Sequence, residues 1–168
     1  MTEQVISTEY RLPALLAWVV RLPLINRFGL ERRPKELVRF LKFATVGAIG
    51  MVVDLSVLTF SREVLRLPLE LAVGAGFTVA VLSNFTWNRL WTFPESRQRP
   101  LTSQMAQFVI VNVIGLGINE AVVLGLHPLF ALALPDPPAY LTAKVIAIGI
   151  VLFWNYFVNR AWTYRGIQ

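Results

Sequence analysis

The chain has 168 residues, 55% hydrophobic and 15% charged, with a formal net charge of +6. A soluble domain carries about a quarter charged residues and cannot hide this much apolar surface in one core, so the composition excludes an ordinary water-soluble globule and points to a membrane protein. Cysteine is absent and His127 is the one histidine, which excludes disulfides, thiolate or histidine metal sites, a cysteine nucleophile and a histidine triad.

In chain order, residues 1–38 form an amino-terminal arm. Its stretch Arg11–Leu30 is apolar but interrupted by Pro13, Arg21 and Pro23, the pattern of an amphipathic helix lying in the membrane interface. Glu3, Glu9 and the lack of a small-residue cleavage site disfavour a secretory signal. Residues 39–168 form the membrane domain. Phe40–Phe60, Leu69–Leu90, Ala106–Leu126 and Tyr140–Ala161 each supply the ~20 residues needed to cross a hydrocarbon core as a helix. Helix is the required form, because a backbone in lipid must satisfy its own hydrogen bonds. Pro68, Pro94, Pro128 and Pro138 fall at or just beyond the predicted ends, with His127 in a loop. The expected fold is an all-α membrane protein with four transmembrane helices.

Basic residues cluster before the first span (Arg27, Arg32, Arg33, Lys35, Arg39), after the second (Arg97, Arg99) and in the tail (Arg165). The first connection holds only Arg62 and Arg66, and the third, "HPLFALALPDPPA", holds none. This asymmetry reads as topology and not as a nucleic-acid surface, and places both termini in the cytoplasm.

The second and fourth spans close on the same phrase. "NFTWNRLWTF" begins at Asn84 and "NYFVNRAWTY" at Asn155, matching Asn88 with Asn159, Arg89 with Arg160, Trp91 with Trp162 and Thr92 with Thr163. A fainter echo relates "FLKFATVGAIG" from Phe40 to "FVIVNVIGLG" from Phe108. Residues 39–93 and 105–164 therefore read as two helical hairpins in parallel orientation, related by a pseudo-two-fold axis along the membrane normal. On a continuous α-helix Asn84, Asn88 and Trp91 share a face and Arg89 leaves at another angle.

For Trp91, Phe93, Trp162 and Tyr164 an aromatic belt at the headgroups is a sufficient account, and for Arg89 and Arg160 so is anchoring on the positive side. The asparagines need partners inside the span, either a neighbouring helix or a polar cleft. Asp54, Glu120 and Lys144 lie deeper, each costing about 2.5 to 3.5 kcal/mol at the centre of an isolated helix. A carboxylate paired with Lys144 would lower that cost. The other reading is a polar path or proton site, with Asn112 and Asn119 as further lining. The glycines read as close-packing positions, no nucleotide-phosphate loop occurs, and no nucleophile and base pair suggests an enzyme.

The basic lead-in, "RFLKFATVGAIGMVVDLSVL" and the twice-written N-aromatic-x-x-N-R-x-W-T-aromatic pattern resemble the GtrA-like family of small four-helix membrane proteins, over about Arg39 to Tyr164. The resemblance implies a flippase that moves a polyprenyl-phosphate-linked sugar from the cytoplasmic to the outer leaflet of the bacterial inner membrane, for cell-surface polysaccharide synthesis. Its partners would be membrane glycosyltransferases and membrane lipid, with no cofactor and no nucleic acid. On chemical grounds Arg89, Arg160 and Lys42 suit the phosphate, and Asn84, Asn88, Asn155 and Asn159 suit sugar hydroxyls. Trp87 and Trp91 offer faces for a sugar ring, and Asp54, Asn112, Asn119, Glu120 and Lys144 a path beyond. Four helices are few to enclose such a head, which makes a homodimer a further expectation. Two alternatives stand beside this: a scaffold that recruits a glycosyltransferase without transport, and a small proton-coupled exporter using Asp54 or Glu120.

Overall fold

A computed structural model describes residues 34–165. The interfacial helix expected over Arg11–Leu30 lies outside them. Every regular element among the described residues is helical: α1 (Pro34–Glu63), α2 (Leu69–Trp87), α3 (Leu101–Ala131) and α4 (Pro138–Val158). A π-helical turn follows α2 (Asn88–Thr92) and another follows α4 (Asn159–Thr163), and a 3₁₀ helix, Pro94–Gln98, precedes α3. All four long helices are long and apolar enough to cross a membrane, giving the expected all-α fold.

The chain divides into two compact units between Thr45 and Val46, within α1. In the first, Leu37 and Phe43 are buried and Arg39 Nη1 donates to Glu36 Oε1 at 3.1 Å; Lys42 lies here, half-buried. In the second, contacts within each hairpin run in opposite orders along the two helices. Gly50 faces Asn84 while Asp54 faces Gly76, and Gly115 faces Asn155 while Asn119 meets Lys144. Both pairs are therefore antiparallel.

The ends follow from local chemistry. Proline has no N–H to give and disfavours helix in the residue before it, so Pro68 caps α2 and Pro138 opens α4. Between α1 and α2 the chain reverses through Arg66, whose φ of 55° is left-handed, and Arg62 Nη1 closes the turn on the Leu67 carbonyl at 3.0 Å. One expectation is corrected: His127 and Pro128 lie inside α3. Proline removes a single backbone bond, and one turn from a helix end that loss does not stop the helix. His127 Nε2 then reaches the Asp136 carboxylate at 2.9 and 3.1 Å, linking α3 to the connection that follows.

The buried stripe of α3 is Gln104, Phe108, Val111, Gly115, Asn119 and Val123, and that of α4 is Ala139, Ala143, Ala147 and Tyr156. Steps of three and four residues put the α3 set on one helical face and Ala139, Ala143 and Ala147 on one face of α4, and the small residues let backbones approach closely, as helix pairing in lipid requires. Many leucines, valines and isoleucines outside these stripes, such as Leu71, Leu116, Leu124 and Val145, are exposed, which suits a hydrocarbon surround.

Candidate functional site

The repeated phrase takes the same local form both times. Each α-helix widens at its second asparagine into a turn closed five residues on: Phe93 N–H donates to Asn88 O and Tyr164 N–H to Asn159 O, both at 2.8 Å. This wider turn carries one residue more than an α-turn, which corrects the expected stripe. Thr92, not Trp91, continues the face of Asn84 and Asn88, and Thr163 does so in the second copy; both threonines are buried. Thr163 Oγ1 donates to Asn159 Oδ1 at 2.8 Å, and Asn159 Nδ2 to the Asn155 carbonyl at 2.8 Å.

The aromatics that end the two phrases meet. Phe93 and Tyr164 stack with centroids 4.5 Å apart and planes at 19°, and both are fully buried. Phe108 from α3 closes on Phe85 edge-on at 5.6 Å and on Tyr164 at 6.4 Å. These aromatics are core, not belt. Trp87, half exposed, lies in an open groove of about 390 Å³ with Leu82, Ser83 and Thr86, whereas its neighbour Asn88 is buried. Trp91 is 41% exposed.

Arg89 turns back onto the connection: its Nη2 donates to the carbonyls of Arg97 at 2.7 Å and Arg99 at 3.1 Å. Arg99, which sequence reasoning used only for orientation, crosses to the end of the chain. Its Nη1 donates to Thr163 O at 2.6 Å and Trp162 O at 3.2 Å. Burial and the Arg165 guanidinium lower the Arg99 pKa from its ordinary value. Gln104, also missed, is fully buried and donates from Nε2 to Ser96 O at 3.0 Å and Thr163 O at 3.3 Å. Its position one turn before Phe108 on an apolar face was the available signal.

The first asparagines occupy glycine slots. A Cβ on Gly50 would overlap the Asn84 carboxamide, and one on Gly115 would come within 2.8 Å of Asn155 Oδ1. The equivalent glycines are thus Gly50 and Gly115, which slips the expected echo by three residues. In the slipped register Phe43 matches Phe108, Val46 matches Val111, and Asp54 matches Asn119, with Glu120 one place beyond. Glu120 is exposed whereas Asn119 is buried and accepts from Lys144 Nζ at 2.7 Å, so the partner of Lys144 is an amide and not a carboxylate. Asp54 packs against Gly76, and Asn112 is spent on its own helix, donating to Phe108 O at 2.8 Å. Asn88, Asn159 and Arg89 thus lie in the two turns that end in the stacked Phe93 and Tyr164, while Asn84 packs at Gly50 and Asn155 at Gly115; Trp87 and Glu120 are exposed. Arg160 is half-buried beside Asn159 in the second turn.

The sequence from residue 42 to 166 matches the GtrA/DPMS transmembrane domain. The chain belongs to this family. As a GtrA/DPMS protein with four helices of spanning length it is a multi-pass membrane protein. It is 30% identical over 130 residues to a dolichol-phosphate mannosyltransferase of Pyrococcus furiosus, covering 74% of this chain and 33% of that protein. It is 26% identical over 133 residues to the uncharacterized membrane protein YngA of Bacillus subtilis, covering 77% of this chain and 82% of the relative. The chain thus spans about a third of the mannosyltransferase and most of the second relative.

Proposed function

We propose that this protein carries a polyprenyl-phosphate-linked sugar across the membrane, without transferring the sugar itself. The observation that carries this reading is a set of buried polar atoms in the repeated phrase with no hydrogen-bond partner among the described residues, which includes Thr92 Oγ1 and the Tyr164 hydroxyl and four atoms suited to a ligand: Oδ1 of Asn84, Asn88 and Asn155, and Nη1 of Arg89. An unsatisfied buried polar atom costs about 1 to 3 kcal/mol, and helix packing alone supplies no reason to collect four. A sugar hydroxyl donates to a carboxamide oxygen, and a phosphate oxygen accepts from a guanidinium. A lipid-linked sugar phosphate brings both, and its tail remains in hydrocarbon outside the helices.

The Pyrococcus furiosus relative is named for dolichol phosphate and mannose, which supports a polyprenyl phosphate as the lipid class. In this reading the motif end faces the cytoplasm of a bacterial inner membrane, in line with the Lys and Arg excess there. The head enters between the asparagine faces and leaves toward Lys144, and membrane glycosyltransferases make and consume the lipid for surface polysaccharide.

A second reading has one observation in its favour. The mannosyltransferase is about three times the length of the matched segment, so its family domain sits in one chain with other protein, as a recruiting scaffold would sit beside a separate transferase.

Proteoliposomes containing a labelled polyprenyl-phosphate sugar separate the two. Wild type is expected to equilibrate the label between leaflets. Arg89→Ala with Arg160→Ala is expected to slow it by about tenfold or more, the worth of one charge-assisted hydrogen bond. Because Arg89 also holds the connection, Asn84→Ala with Asn155→Ala serves as a second variant that relieves crowding at the glycine slots and leaves the fold intact. No movement above empty liposomes by folded wild type overturns the transport reading in favour of the scaffold.

A further inference from the structure

Lys144 is the seventh residue of α4, about 9 Å along the helix axis from Pro138 at 1.5 Å per residue. A lysine this close to a helix end would ordinarily bend its ammonium outward to water. This one does not: Nζ lies 2.7 Å from Oδ1 of Asn119, a buried residue of α3. The ammonium has three donors, and Asn119 uses one. Among the described residues no carboxylate lies within ion-pair distance of it. A neutral amide orients a charge but does not balance it, so a cation held between two apolar helices needs an anion.

The two halves differ at this place. The spacing that relates Asn84 to Asn155 sets Val73 against Lys144, and the glycine register sets Asp54 against Asn119. One half therefore offers an ammonium held by an amide, and the other a carboxylate against Gly76 with a valine where the lysine would stand. An anion is drawn to the α3–α4 half and repelled from the α1–α2 half. Lys144 also stands eleven residues before Asn155 on the same helix, about 16 Å along its axis.

We infer that Lys144 and Asn119 form a second anion station, one per chain and on the α3–α4 half alone, which takes the phosphate of the lipid-linked substrate at the end of the domain away from the repeated phrase. This rests on the transport reading above and adds to it a route: the phosphate passes along α4 from the asparagine and arginine end to Lys144.

The test uses the full chain in nanodiscs, titrated with farnesyl phosphate in one arm and inorganic phosphate in the other. Protein carrying Arg89→Ala and Arg160→Ala is expected still to bind farnesyl phosphate. Adding Lys144→Met should weaken that binding about tenfold or more, and Lys144→Arg should restore most of it. Equal binding with and without Lys144→Met in folded protein overturns the station. Equal binding of inorganic phosphate overturns the lipid assignment. Side-by-side scrambling keeps the failures apart: if wild type scrambles and Lys144→Met matches it, the station alone fails; if wild type does not scramble, the transport reading fails and takes the route with it.

Discussion

At Gly50 and Gly115 the missing side chain is the binding surface for a neighbour's carboxamide, so the smallest substitution tests the contact. Gly115→Ala is expected to cost about 1 to 3 kcal/mol, the usual penalty for forcing a methyl into an occupied site. Adding Asn155→Ala should recover most of that loss. Gly117→Ala, where an added Cβ meets nothing within 4 Å, should stay within about 0.5 kcal/mol. Unfolding titrations in detergent measure all three. Tyr164 supplies a pH test. Burial pushes its phenol above the ordinary range, against an opposing pull from Arg89. The folded protein thus keeps a proton that the unfolded chain releases near pH 10, so stability holds below that pH and falls as pH rises past it. Tyr164→Phe should flatten that fall, and Phe93 in the matching position shows that the stack accepts a phenylalanine.

Elements were legible in the sequence to different depths. The four spans were, because length and hydropathy are what the bilayer reads; so was the repeated phrase, down to its arginines. The π turns were not. Closing a turn on the fifth residue instead of the fourth leaves no compositional mark, and a helix wheel then carries Trp91 into the place that Thr92 holds. The three-residue slip between Phe40 and Phe43 escaped for a related reason: three residues nearly complete a helical turn, so both registers keep apolar residues on one face, and only the asparagine contacts choose between them. Glu120 drew attention as a charge, while Asn119, one residue earlier, faces the core. The turns predict an asymmetry of their own. Deleting exposed Leu90 converts the widened turn to an ordinary one and leaves Phe93 in register with Asn88. That deletion should preserve folding while turning Thr92 out of line with Asn84 and Asn88, so transport is slowed in a stable protein. Deleting Leu82 inside α2 rotates every following residue by about 100° and should abolish folding. Circular dichroism with size-exclusion chromatography in detergent, beside the scrambling assay, distinguishes these outcomes.

For the whole molecule, the short connection between the second and third helices is the tie. Arg89 holds its carbonyls from one phrase, Arg99 reaches from it to Trp162 and Thr163 in the other, and Gln104 of α3 bonds both it and Thr163. Arg99→Ala should cost about 1.5 to 3 kcal/mol, the range for hydrogen bonds made by a charged group. Faster amide exchange in the residues around Thr163 is the signature to look for. The same tie sets an order of assembly. Chains emerge amino terminus first, and the acceptor carbonyl of Thr163 is made 64 residues after Arg99, so Arg99 and Gln104 must wait in the membrane for their partners. A nascent protein halted before Thr163 would already hold the four spans of this domain, yet its central aromatic stack would be missing one ring. Completion of this fold is thus a late event that membrane insertion alone does not report.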